Sequence, residues 1–220
     1  MNELIQTLAV YAIPMIFAIT LHESAHAFVA RYFGDDTAYL RGRLSLNPLK
    51  HIDPIGTLLL PALMLLVSKG TFAFGYAKPV PVNFSALRNP KRDMIWVALA
   101  GPASNFFMAL IWFLSIYAMV VIHFDVPFLL KMAQAGIAVN VIMFALNLFP
   151  MLPLDGGRIL VGLLPMKQAY QFSKIEPYGF FIVLGLLWLN LLDKYWLNPV
   201  ASWTETSLQL LLTPLQFLIK

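Results

Sequence analysis

Within the stretch "LHESAH", His22 and His26 stand four residues apart and Glu23 follows the first of them. On a helix, residues at i and i+4 share a face, so the two imidazoles can converge on one ion. Glu23 beside them could take a proton from water that the ion has made acidic. This is the H-E-x-x-H pattern of zinc hydrolases, with two ligands and a general base. A pair of helix histidines hydrogen-bonded to their neighbours is the plain alternative. A catalytic zinc takes three protein ligands and keeps one position open. The chain has no cysteine, so the third ligand must be His, Asp or Glu. The candidate is Asp155 in "NLFPMLPLDGGRIL", after a Pro-interrupted turn, where Gly156 and Gly157 would let backbone approach a neighbouring helix closely. "DGG" by itself is an ordinary turn; the metal motif upstream is what singles it out.

The elements that must carry these residues are apolar. Of 220 residues 60% are hydrophobic and 12% charged, and mean hydropathy is +0.74, which points to an integral membrane protein. Ionisable groups at membrane depth are costly and mark function by default. The expected architecture is all-α: a polytopic helical bundle in one membrane-embedded domain, residues 1–220, with a small β-hairpin and a re-entrant segment. The first helix is expected from about Leu4 to Phe33, closed by Gly34, as a retained span rather than a cleaved leader. In residues 39–46, Leu40, Gly42, Leu44 and Leu46 alternate with Tyr39, Arg41, Arg43 and Ser45, a period of two that predicts a strand. Residues 54–67 are apolar but only 14 long and contain Pro61, which suits a re-entrant segment. Pro79 and Pro81 in "YAKPVPV" confine that stretch to an edge or to irregular backbone. Further helices are expected at about Met94–Ile122, Phe128–Phe149 and Tyr178–Leu192. A final one, about Pro199–Ile219, either spans or lies in the interface.

With 54–67 re-entrant and the final stretch spanning, 13 of the 15 basic residues fall on one face, leaving Lys131 and Lys194 opposite. The positive-inside rule makes that face cytoplasmic. The same topology brings the end of the first helix and the segment leading to Asp155 to one side. The net charge of +4 therefore reads as membrane orientation, and no nucleic-acid partner is expected.

The motifs together resemble the site-2 protease family of intramembrane zinc metalloproteases. "HESAH" is similar to the family's zinc-binding helix. "NLFPMLPLDGG" is similar to its N-x-x-P-x-x-x-L-D-G motif, with Asn147, Pro150, Leu154, Asp155 and Gly156 in place, and "AGPASN" (100–105) resembles its small-residue helix motif. The resemblance runs from the first helix to about residue 165, a catalytic core of about 4–165, with C-terminal helices at about 178–219 outside it. It is expected to be a compact form, without an inserted peptide-binding domain. It implies one Zn²⁺ per chain bound by His22, His26 and Asp155, with Glu23 as base. It also implies that Asn147 holds the substrate or the developing oxyanion. A side-chain amide can do this, although an interhelical hydrogen bond would equally explain Asn147.

The implied reaction is hydrolysis of peptide bonds within or near transmembrane segments of membrane-protein substrates, in the cell (inner) membrane and with the site toward the cytoplasm. A substrate helix must unwind first, because its carbonyls are internally bonded. The strand with Arg41 and Leu44 could receive it by strand addition or equally be a structural hairpin that covers the membrane face, and Asn105 completes the candidate substrate contacts, although its small neighbours also suit scaffold packing. His51, in a polar loop, and His123, near Asp125, are expected to be solvated. The rival reading is a non-catalytic membrane protein that binds or transports metal. A transport path would show polar residues on both halves of the membrane, whereas here they gather toward one.

Overall fold

A computed structural model describes residues 2–51, 53, 56, 59 and 78–214. Helix α1 (Asn2–Tyr32) has 31 residues. At 1.5 Å per residue it is about 46 Å long, more than a bilayer core requires. It stops where predicted. Gly34, at φ 107°, donates to Arg31 O at 3.0 Å, and Asp35 N–H returns to Ala30 O at 2.9 Å, a Schellman end that satisfies the last carbonyls.

The fully buried Asp35 carboxylate then accepts from the N–H of Thr37 and starts a one-turn helix, α2 (Thr37–Leu40). Here the expected β-hairpin is wrong: there is no strand among the described residues. Side-chain hydrogen bonds outcompete a weak period-two pattern. Asp35 nucleates the turn, Gly42 at φ 64° reverses the chain, and the groups that follow bond to side chains instead of a ladder. Ser45 O accepts from Ser24 Oγ and His51 Nε2, both at 2.7 Å, and Lys78 O accepts from Arg43 Nη2 at 2.8 Å. His51, expected in solvent, is 1% exposed. The expected re-entrant segment, 54–67, lies outside the described residues but for Gly56 and Leu59.

The long helices α3 (Pro90–Val121) and α4 (Pro127–Asn147) each open with proline at the first helical position, where its missing N–H costs nothing. Four shorter α-helices follow: α5 (Asp155–Leu163), α6 (Met166–Ser173), α7 (Glu176–Trp188) and α8 (Asn198–Leu212), the last entered through a π-helical turn at Asp193–Leu197. The two C-terminal elements, α7 and the run Asp193–Leu212, are bent by 87° relative to one another.

Three described helices, α1, α3 and α4, are long and apolar enough to cross a membrane, and they pack against one another. Their packing is that of a protein in lipid. Most of their buried positions are small or polar, including Ala18, Ala27, Ala30, Ala98, Ala109, Ala133, Ala145, Asn105 and Asn140. Phe17, Phe28, Phe107, Ile111 and Ile142 face outward. Lipid rewards exposed large apolar side chains as much as a core does, so helices associate by close backbone approach and buried polar contacts.

Candidate metal centre

His22 and His26 point from α1 toward the first residue of α5, Asp155. The two Nε2 atoms are 3.1 Å apart, and Asp155 Oδ2 lies 3.2 Å from one and 3.3 Å from the other. The second ring nitrogens determine what these three atoms can be. His22 Nδ1 is 2.7 Å from Asn105 Oδ1, and His26 Nδ1 is 2.7 Å from Val97 O. Both partners accept, so both Nδ1 atoms carry the hydrogen and both Nε2 atoms present lone pairs.

The Asn105 amide has no freedom to flip. Its Nδ2 donates to Asn140 Oδ1 at 3.0 Å and to Ala18 O at 3.3 Å, while Asn140 Nδ2 donates to Gly136 O at 2.8 Å. Both asparagines are fully buried. A continuous set of donors and acceptors through α1, α3 and α4 thus fixes the tautomer of His22.

Three acceptors therefore meet with no N–H or O–H between them, and Asp155 Oδ2 is a buried atom without a hydrogen-bond partner. A cation between them would satisfy all three at once. Tetrahedral zinc with bonds of about 2.0–2.1 Å sets its ligand atoms about 3.3–3.4 Å apart, so the triangle fits that ion almost without adjustment.

Glycine positions do much of the assembly. A Cβ on Gly101 of α3 would lie 2.3 Å from His26 Nε2 and 2.6 Å from His22 Cε1, so only glycine lets α3 pass against the imidazoles. A Cβ on Gly156 would lie 2.3 Å from Leu148 O. The close approach expected of the double glycine is therefore made to its own preceding loop, which tucks the start of α5 beneath the end of α4 and aims Asp155 at α1.

A cavity of about 570 Å³ opens beside the triangle, lined by His22, Glu23, His26, Asn147, Asp155 and Arg158 and by apolar side chains that include Val80 and Phe180. Glu23 Oε2 accepts from the N–H of Val80 at 2.7 Å. Among the described residues, the Asn147 side chain makes one hydrogen bond, from Nδ2 to Met143 O, which uses one of its two amide hydrogens. The other sequence candidates stand elsewhere. Asn105 is behind His22, Leu44 packs on Ala27, Ala38 and Val80, and Arg41 is exposed at the end of α2. Sequence reasoning missed Arg158, which lies over the Phe84 ring and 3.1 Å from Glu176 at the cavity rim. Its spacing of three from Asp155 on a helix was the available signal.

No family model and no solved structure matches the chain. Curated proteins do. Over 198 residues, 86% of this chain and 84% of the relative, it is 38% identical to "Putative zinc metalloprotease YwhC" of Bacillus subtilis. It is 31% identical over 193 residues to "Putative zinc metalloprotease Rip2" of Mycolicibacterium smegmatis, and 32% identical over 192 residues to the protein of that name in Mycobacterium tuberculosis H37Rv; each match covers 86% of this chain and 70% of the relative. With this similarity running through both motif-bearing halves, the chain belongs to the site-2 protease family of zinc metalloproteases.

Proposed function

We propose that the protein is an intramembrane zinc endopeptidase that hydrolyses peptide bonds within or near transmembrane segments of other membrane proteins. The observation that carries this reading is the convergence of three buried lone-pair atoms from α1 and α5 beside an open cavity. His22, His26 and Asp155 would hold one Zn²⁺. When bound there, zinc supplies Lewis-acid polarisation of a carbonyl and brings the pKa of water to about 7. Glu23, half-buried on the cavity wall, accepts the proton from water and delivers it to the amine leaving group. Asn147, on the same wall, donates to the oxygen that gains negative charge.

Asn105 and Val97 act behind the ligands. They hold both imidazoles in the tautomer that points Nε2 inward, so no rearrangement precedes binding. The substrate must enter as extended chain, because a helix of about 10–12 Å diameter has its carbonyls internally satisfied and a cavity of this size admits little more than a strand. The whole chain serves as one membrane-embedded unit with core residues 4–165. The bias of basic residues in the loops supports a site that faces the cytoplasm, the side from which water would enter.

The test is zinc content per chain in detergent-purified wild type and Asp155→Ala, both confirmed folded. Stoichiometric zinc that is largely lost in the variant is the expected result. Wild-type protein that takes up no zinc on resupply overturns the reading.

A further inference from the structure

We infer that the backbone N–H of Val80 is the positioning group for Glu23, and that the segment Lys78–Asn83 is held in place to present it. The inference rests on Glu23 being the base. The bond from Val80 N to Glu23 Oε2 is 2.7 Å and joins residues 57 apart in sequence. It engages one carboxylate oxygen only, so the other remains for the cavity.

The chemistry of the segment is selective. Pro79 and Pro81 have no N–H, so Val80 carries the one amide donor between Lys78 and Val82. A residue that precedes proline is also kept extended, which restricts Val80 to few conformations. The segment is tied down on both sides of this donor. Lys78 N–H donates to His51 O at 3.0 Å, Lys78 O accepts from Arg43 Nη2 at 2.8 Å, and Asn83 N–H donates to the buried Asp35 carboxylate at 2.7 Å. The Val80 side chain, 7% exposed, is packed on Ala27 and Ala38. The loop from Arg43 to His51 is itself fastened to α1 beside Glu23, through Ser24 Oγ and Ser45 O at 2.7 Å. The donor and its acceptor are thus referred to the same helix. A free glutamate on a half-buried wall samples several rotamers, and fixing one raises the fraction poised for proton transfer.

The experiment compares Val80→Pro, which deletes the N–H, with Val80→Ala, which keeps it, acting in detergent on a single-span model substrate that carries a Gly-Pro break. Zinc content, kcat and KM are measured for each. Expected for Val80→Pro is a fall in kcat of about tenfold to hundredfold relative to Val80→Ala, which keeps the N–H and controls for the lost side chain, with zinc and KM the same in both. A Val80→Pro protein that keeps wild-type kcat overturns the inference, as does an equal loss in both variants or a change confined to KM. If Val80→Pro loses zinc, and so its fold, Arg43→Ala decides. It releases the Lys78 carbonyl and leaves every donor to Glu23 intact; a fall in kcat at constant KM and zinc supports the inference, and unchanged kcat overturns it. Glu23→Gln, measured alongside, separates the two levels: an active Glu23→Gln enzyme removes the base assignment, whereas an inactive one with indifferent Val80 variants removes only the positioning role.

Discussion

Among the described residues, a histidine stands near an aspartate and a cavity in two places, and the candidate metal centre is the better equipped of the two. At the turn between α3 and α4, His123 and Asp125 line a cavity of about 270 Å³. His123 is exposed, sits at φ 51°, and its ring makes no hydrogen bond among the described residues. At the metal centre, His22 and His26 are 5% and 9% exposed, and the second nitrogen of each ring is already committed to a carbonyl or amide oxygen. Residue type is the same in both places; the surroundings differ. An exposed imidazole must surrender hydration and ring freedom to bind an ion, and either tautomer is open to it. A buried ring with Nδ1–H fixed has given these up on folding.

Glu23→Gln carries the largest expected effect. It should lower kcat by about 10²–10⁴ while zinc content stays at the wild-type level, which separates proton transfer from metal binding at the better-equipped place. Next is Asn147→Ala. Loss of one donor to the developing oxyanion is expected to cost about 10²–10³ in kcat, again with zinc retained; an effect on thermal stability alone would reassign Asn147 to helix packing. Asn105→Ala goes to the root of the comparison, because it leaves all three ligands and removes the acceptor that sets the His22 tautomer. Zinc affinity in a competition titration should fall about 10–100-fold. An unchanged affinity would mean that burial alone, without the buried amides, prepares the site. The smallest effect belongs to the turn between α3 and α4. His123→Ala should leave zinc stoichiometry, kcat and KM as they are, and a lost equivalent of zinc would erase the contrast.

Much of the candidate site is legible in the sequence. The i, i+4 spacing of His22 and His26 is a local rule that α1 obeys, and Asp155 is singled out by what a tetrahedral ion with two histidine ligands still lacks. The roles behind the ligands are harder to read. Asn105 has the look of a small-residue packing motif, and nothing in "AGPASN" says that its amide meets His22, 83 residues away. The strand expected at Tyr39–Leu46 fails for a related reason. Its alternation is real, but Asp35 and Gly42 impose a turn locally, and Ser24, Arg43 and His51 supply partners that no pattern of hydropathy records.

The amino-acid sequence by itself determined the long apolar helices, the Gly34 stop and the pair of histidines on one helical face, because hydropathy, backbone stereochemistry and a 3.6-residue period act within a few residues. Tertiary structure alone decided that α3 passes close enough for Asn105 and Val97 to orient the two rings, and that Asp155 completes a triangle 3.1–3.3 Å on a side. It also decided that Val80 reaches Glu23. These are encounters between distant segments. Their geometry depends on how glycine and alanine faces let helices approach, a property of pairs of surfaces that neither surface carries alone.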